Sequence, residues 1–501
     1  MPAWGWKVVY DGKTPPQGQV VRPNERLSWP RTVGLGAQHV VAMFGATFVF
    51  PIIMGLNANV AIMFSGIATI MFLLIVNGKV PSYLGTSASF VAGVAAIRAE
   101  GGDSADVTGS ILVAGLILAA IGLIVHRAGS GVVNAVLPPV VTGAVVMLIG
   151  FNLAPVVGAI YWPQDQWVGL ATASFVVIAT VTFGGFWGRI AIFLGLVFGF
   201  ALSWFLDLFG QITSVVPGTN LVDAGGKSCS PEGTYCVATE FPHDRVNFDA
   251  VEQASWFGLP DKTIFGAGPG GSDIAGFHAP SFSLTFIMLV IPGVIALIAE
   301  NTEHVKAVAQ MTGDDLDPYV GRALFGDGLG TAVASAFGGS PTTTYAENIG
   351  VMAATRIYST AAYYVAAVVA IGLGLCPKFG ALVYAIPGGV LGGITLVLYG
   401  MIGLLGAKIW VENGVNFGDP INLVPIAAGL IAGIGDVTLK ITDNFQIAGI
   451  ALGTLMVIVY FHLVRFLRDR MGTYDEPSDR QPVGEGAGGE PTGREVGDRD
   501  S

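Results

Sequence analysis

The sequence predicts an all-α polytopic membrane protein: fourteen transmembrane segments as 7+7 inverted repeats, with short extended strands and half-helices in spans 3 and 10. Three observations predict this. Of 501 residues, 52% are hydrophobic and only 12% charged, with mean hydropathy +0.65, whereas soluble domains carry roughly 25% charged residues. Apolar runs long enough, or nearly so, to cross a bilayer recur along the whole chain. Two of these runs are short or interrupted, and they hold equivalent places in the two halves. The glycine content, 71 residues, suits helices that pack closely in lipid.

Taken in order, residues 1–32 are polar, carry Lys7, Lys13, Arg22 and Arg26, and lack the apolar stretch of a signal peptide. They read as a cytoplasmic N-terminal tail. Apolar runs then cover 33–55, 58–77, 84–99, 109–126, 137–158, 167–186 and 189–211 in the first half. In the second half they cover 282–309, 320–337, 344–355, 359–375, 383–407, 421–437 and 446–467. The third and tenth, 84–99 and 344–355, are the interrupted pair. Matching interruptions in two halves are the best sequence pointer to a transporter binding site. Because seven is odd, the second half is expected to lie inverted relative to the first.

Charge supports the count. With the N-terminus inside, 18 of the 24 Lys and Arg residues fall on the cytoplasmic side, among them Lys79, Arg127, Arg189, Lys306, Arg322, Arg356 and Lys408. That is the positive-inside bias. Residues 212–281 form one long extracytoplasmic loop, read as a surface excursion joining the halves. Residues 471–501 are rich in Gly, Glu, Asp and Pro and are expected to be a disordered cytoplasmic tail. The net charge of −11 sits largely in that loop and tail, so it gives no sign of a nucleic-acid partner. The expected location is the cell (inner or plasma) membrane, multi-pass, with the bilayer as partner. Cys376 is isolated and reads as a small packing residue. Cys229 and Cys236 lie seven apart in the long loop, where a local disulfide and two unpaired thiols both fit.

The chemistry concentrates in Gly338–Gly350. Pro341 and Thr342–Thr344 favour extended backbone, and the sequence turns helical from Ile349. Glu347 therefore falls near the start of a half-helix, where free N–H groups and the positive dipole end favour anions or carbonyl oxygens. A carboxylate simply capping its own helix is the plainer reading. A charged group at membrane depth is costly, however, and points to function. The matching segment, Val80–Phe90, has proline and small hydroxyl residues but no carboxylate, so it would offer backbone groups and shape. An ordinary helix with a small packing face is its plainer reading. Glu300 and His304 share a helix face at i and i+4, although they also fit a membrane exit. Gln38, His39 and Asp327 are lone polar residues in apolar spans, as readily hydrogen-bonded packing groups as functional ones. The sequence has no metal-ligand cluster, nucleophile elbow or phosphate loop, so neither an enzyme nor a resident metal or cofactor is expected.

These motifs resemble the nucleobase:cation symporter-2 family, the nucleobase–ascorbate transporters. That family's signature is a Gln or Glu, Asn-x-Gly, four variable residues, Thr and Arg. It appears here as Glu347-Asn348-Ile349-Gly350, then Val351–Ala354, then Thr355-Arg356. The first-span Gln-His pair is similar to Gln38-His39, and the eighth-span Glu four residues before a His to Glu300 and His304. The resemblance runs from about Pro23 to Arg465. Within the family it leans to bacterial uracil permeases, and Val21–Leu27 and Phe151–Pro155 to the pyrimidine permeases of the Rut uracil-degradation pathway.

The resemblance implies a core domain, spans 1–4 (33–130) and 8–11 (282–380), and a gate domain, spans 5–7 (131–211) and 12–14 (381–470). It implies a homodimer and proton-coupled uptake of a nucleobase, with H+ as the coupling ion. The carried-over substrate groups are the side chains of Glu300 and Glu347 and the backbone near Ala88 (with Ser89 and Phe90) and Ala346. His304 and Tyr345 lie close by, Asn348 belongs to the signature, and Tyr399 is carried over as a gate contact. Two departures stand out. Uracil permeases usually have Phe where Ala88 stands, and commonly Gly where Glu303 stands.

Uracil presents two ring N–H donors and two carbonyl acceptors. Ionised carboxylates accept, and helix starts donate, so Glu300, Glu347 and backbone amides could satisfy all four. Two carboxylates in a dry site repel, so at least one is expected to hold a proton readily. Glu300, Glu347 and His304 are the candidates for proton coupling. Two rivals remain: a purine (xanthine or urate) permease, favoured by the small Ala88, and an anion exchanger or channel of similar fold, disfavoured by Glu347.

Overall fold

The computed structural model describes residues 5–16, 18–184, 187–188, 190–216, 221–222, 237–260, 274–442 and 445–471. Cys229, Cys236 and the tail from residue 472 lie outside the described residues.

In the first half, α1 (Trp29–Met54) has Pro30 in its first turn, where a missing N–H costs nothing. It stops at Gly55, whose φ of 66° is left-handed. α2 (Ala58–Ile75) is capped by Asn57, whose side chain accepts from the N–H groups of Asn59 and Val60. Strand β1 (Leu84–Thr86) passes through a single 3-10 turn, Ala88–Phe90, into α3 (Val91–Ala99). α4 (Ser104–Ala128) starts at a reciprocal Asp103–Asp106 capping box. α5 (Pro139–Asn152), α6 (Gln166–Thr182) and α7 (Ala191–Asp207) complete this half.

The long loop contributes β2 (Ile212–Ser214), antiparallel to β3 (Phe241–His243), and the small helix α8 (Asp249–Gln253). The second half repeats the plan with α9 (Leu284–Thr312), α10 (Val320–Ala336), strand β4 (Thr342–Thr344) and α11 (Ala346–Thr355). It continues with α12 (Thr360–Gly374), α13 (Pro377–Tyr384), α14 (Gly388–Glu412) and α15 (Pro420–Ile434). A hairpin, β5 (Thr438–Thr442) with β6 (Phe445–Ala448), leads into α16 (Gly449–Met471).

Among the described residues, seven helices are long and apolar enough to cross a bilayer. They are eight if α12 and α13, bent by 82° at their junction, count as one span, and four further apolar helices are shorter. The protein is therefore a mostly helical multi-pass membrane protein that mixes full-length and short helices.

The helices pack in two groups. α4 lies on α10, α2 on α12 and α10, α1 on α12, and α9 on α4. Separately, α14 lies on α5 and α6, α15 on α16 and α5, and α7 on α6. Glycine makes the closest crossings. A Cβ on Gly122 of α4 would stand 2.3 Å from the Phe325 nitrogen of α10, and one on Gly150 of α5 would stand 2.1 Å from the Gly403 nitrogen of α14. Lipid tails supply no hydrophobic drive between helices, so such backbone approach is where dispersion and packing hold the bundle.

Two local structures differ from the sequence expectation. Part of the N-terminal segment is packed rather than a free tail. Val21 is fully buried, donates its N–H to Arg356 O at 2.9 Å and accepts from Tyr358 N at 2.8 Å. Trp6 Nε1 donates to Thr360 Oγ1 at 2.9 Å. The cause is apolar side chains in a polar segment: Val21 and Leu27 bury against Ile357, with Leu35 beside them. The hairpin at 438–448 was also not expected. Its signal is the alternation Thr438-Leu439-Lys440-Ile441-Thr442, a period-2 pattern that two flanking apolar runs conceal.

Candidate functional site

The two interrupted segments meet. β1 and β4 pair antiparallel, with Leu84 opposite Thr344, Gly85 opposite Thr343 and Thr86 opposite Thr342. Ser87 N donates to Pro341 O at 2.9 Å and Tyr345 N to Tyr83 O at 3.1 Å, extending the ladder at both ends. Each strand is continued by a short helix, so the antiparallel pairing brings the starts of α3 and α11 to one place inside the apolar bundle. A two-stranded ribbon at membrane depth must satisfy its outer edges. Threonines on neighbouring helices do this: Thr69 Oγ1 of α2 accepts from Leu84 N at 2.9 Å, and Thr331 Oγ1 of α10 accepts from Thr342 N at 3.0 Å. Sequence reading passed over both threonines, because a hydroxyl in an apolar helix is common and carries no periodic signal.

The crossing needs a residue without a side chain at Gly85. A Cβ there would meet the Tyr345 ring at 2.5 Å and Thr47 Oγ1 at 2.6 Å. Tyr345 cannot withdraw, since its hydroxyl donates to Thr86 O at 2.7 Å and accepts from Thr47 Oγ1 at 3.2 Å. Tyr345, expected beside a ligand, thus spends its hydroxyl on holding the two strands together.

Around this ribbon lie the predicted side chains. Glu300 of α9 is half-buried and accepts from Ser89 Oγ at 3.5 Å. Glu347, in the first turn of α11, is half-buried, and its charge acts on Glu300. The N-cap of α11, Tyr345, provides no side-chain cap, so the first-turn N–H groups face outward as α-helix starts do. Ala346 is exposed and Ala88 partly exposed although both lie deep in the chain's core segments. The combination is an open, polar spot: two carboxylates, two helix starts and two methyl-sized residues. Phe90 is not part of it, because its buried ring packs on Gly293 of α9.

Behind the spot runs a buried polar chain that the sequence revealed only in part. His304 Nδ1 meets Thr344 Oγ1 at 2.8 Å, Thr344 Oγ1 donates to Asn301 Oδ1 at 3.0 Å, and the Asn301 amide donates to Asp327. Thr344 has one hydroxyl proton and gives it to Asn301, so His304 must be the donor to Thr344 through Nδ1–H. Asn301 and Asp327 are fully buried, and Asp327 Oδ1 has no hydrogen-bond partner. Asn301 was missed by sequence, although its place directly after Glu300 in an apolar helix was the available signal.

Asn348 donates to His39 O at 3.0 Å and meets His39 Nδ1 at 3.1 Å, while the His39 ring lies 4.3 Å from that of Tyr363. This fixes α11 to α1 and α12, so Asn348 and His39 hold the half-helix rather than face the open spot. Gln38 is half-buried. Tyr399 of α14 is buried, stacks on Phe50 of α1 at 6.4 Å, and leaves its hydroxyl without a partner. Glu303, unexplained from sequence, forms a half-buried ion pair with Lys306 at 3.1 Å. Cys376 is a half-buried free thiol. Among the described residues no cluster suits a metal ion.

A sequence profile described as Permease family (xanthine/uracil permease) matches residues 30–442. The chain is 40% identical over 455 residues to the Escherichia coli (strain K12) protein named "Putative pyrimidine permease RutG", covering 89% of this chain and 92% of that one. It is 33% identical over 437 residues to the uracil permease of Bacillus caldolyticus, covering 85% and 90%. Among solved structures, the murine anion transporter Slc26a9 in its inward-facing state superposes with TM-score 0.58 at 12% identity, covering 88% of this chain and 69% of that one. The transmembrane domain of the cyanobacterial bicarbonate transporter BicA gives 0.52 at 15%, covering 86% and 96%. At such identities these two establish the fold alone. The sequence relatives are permeases, not enzymes, and the chain belongs to the xanthine/uracil permease family.

Proposed function

We propose that this permease imports a nucleobase, uracil or a related pyrimidine, by proton symport. The observation that carries the reading is the meeting of Glu300 and Glu347 with the starts of α3 and α11 at the β1–β4 crossing. Two acceptor carboxylates match the two ring N–H groups of uracil, and outward-facing amides match its two carbonyls. The similarity to pyrimidine and uracil permeases favours the same substrate class.

The fold reading extends to fourteen segments in two inverted repeats. Packing pairs support it, because each recurs seven segments along. Span 4 packs on span 9 as span 11 packs on span 2, span 1 on span 11 as span 8 on span 4, and span 3 on span 8 as span 10 on span 1. The two packing groups then serve as the core (spans 1–4 and 8–11) and the gate (spans 5–7 and 12–14). They rock against each other around the crossing, in a homodimer whose termini are cytoplasmic. A proton bound with the neutral substrate couples uptake to membrane potential, about 2.3 kcal/mol per charge per 100 mV, or ~50-fold accumulation.

Purified protein is expected to gain thermal stability with uracil and lose that response in Glu347→Ala. The partly exposed Ala88 methyl favours one second reading, a larger purine base. A stability response to xanthine and none to uracil would establish it and reject the pyrimidine assignment.

A further inference from the structure

Past β3 the chain reaches Arg245. Its guanidinium donates to Asp165 Oδ2 at 2.7 Å and Asp207 Oδ1 at 3.2 Å. The backbone N–H groups of Arg245 and Val246 donate to the same Asp207 carboxylate at 3.1 and 3.0 Å. The three side chains are 15%, 7% and 13% exposed. Asp165 also caps α6 and Asp207 closes α7, so this anchor belongs to the second helix group.

Farther along, the same segment is fixed to the first group. Lys378 N donates to Ser255 O, and Gly258 N to Leu375 O, both at 3.0 Å. The Lys378 ammonium lies 5.2 Å from the Trp256 ring. These partners sit at the bend between α12 and α13. Tyr384 ties that bend to the start of α2, its hydroxyl donating to Leu56 O at 2.7 Å and accepting from Ala58 N at 3.0 Å. Residues 245–258 therefore cross from one group to the other. Beneath them lies a hollow of about 610 Å³ lined by Ile53, Tyr161, Gln164, Ala385 and, from the crossing segment itself, Asn247 and Asp249. Glu300, His304 and Glu347 are not among its lining residues.

We infer that residues 245–258 form a strap that limits how far the two helix groups separate on this face, and so sets how readily the hollow opens. The inference rests on the reading that those groups move against each other. The helix α8 sets the reach. Its five residues, which pack on α13 of the first group, span about 8 Å as helix and about 17 Å when extended, so its melting releases about 9 Å. Without melting, separation must pull Arg245 away from two largely buried carboxylates, which leaves uncompensated charge. The strap thus has a defined slack and a defined lock.

The test uses the full chain in liposomes, with Cys229, Cys236 and Cys376 replaced by Ser and a reporter at Ala385→Cys. The rate of labelling by a membrane-impermeant maleimide is read from the loop side. Arg245→Ala removes the lock, and insertion of Gly-Ser-Gly between Phe248 and Asp249, ahead of the packing of α8 on α13, adds slack while keeping both anchors. Both changes are expected to raise the labelling rate about threefold or more, with Arg245→Lys in between. The insertion should leave thermal stability unchanged, so it decides the matter if Arg245→Ala folds poorly. Equal labelling rates in the parent and the insertion variant would overturn the strap. Labelling needs no substrate. A strap effect without a uracil response would sink the transport reading alone, and a uracil response with unchanged labelling would sink the strap alone.

Discussion

Glu347→Ala is expected to weaken uracil binding about 10- to 150-fold and to reduce uptake accordingly. The estimate follows from the worth of a hydrogen bond to a charged group, about 1.5–3 kcal/mol. Truncation leaves a ring N–H of the bound base without its carboxylate acceptor. The fold should survive, because Asn348 and Tyr345 fix α11 by contacts that do not involve the Glu347 carboxylate. Isothermal titration of detergent-purified protein with uracil, alongside a melting curve, separates the two effects. Unchanged affinity in a folded variant would remove Glu347 from the site.

The second large effect concerns the buried chain behind the site. Asn301→Ala removes the donor to Asp327, whose other oxygen already lacks a partner. A fully buried carboxyl left alone should cost about 2–3 kcal/mol of stability. The loss also frees the Thr344 hydroxyl, which can then donate to His304 Nδ1 and drive the ring proton to Nε2. Restoring stability does not require restoring the asparagine. The double variant Asn301→Ala/Asp327→Ala should be more stable than Asn301→Ala alone, because it removes the orphan together with its partner. Thermal melts of the four proteins in this cycle give the answer, and strictly additive losses would show that the two residues act independently.

How much of this was legible in the sequence follows from what each feature contrasts with. Glu300, Glu347 and the prolines before the two short helices stand out because lipid tolerates neither charge nor unpaired backbone. Their positions in the two halves indicated that they meet. The register of β1 on β4 was not legible, since three consecutive threonines offer no alternation to fix it. Thr69 and Thr331, which pair the ribbon's edges, were hidden because their chemistry appears only beside a strand. Gly85 looked like one glycine of 71 until the Tyr345 ring lay against it. Glu303 stands out where uracil permeases commonly have Gly, yet a lysine three residues on pairs with it. The Arg245 anchor joins residues about 40 and 80 positions apart, a separation at which sequence pattern carries no signal.

Proton symport requires that a proton travel with uracil through the Glu300–Glu347 crossing. The decisive measurement uses purified protein in proteoliposomes, with radiolabelled uracil outside and an imposed interior-negative potential of about 100 mV. One proton per neutral uracil predicts accumulation approaching ~50-fold, collapse to equal concentrations on adding a protonophore, and loss of the accumulation in Glu300→Gln. Uracil that merely equilibrates across the membrane, or accumulates equally with the protonophore present, would rule out proton symport.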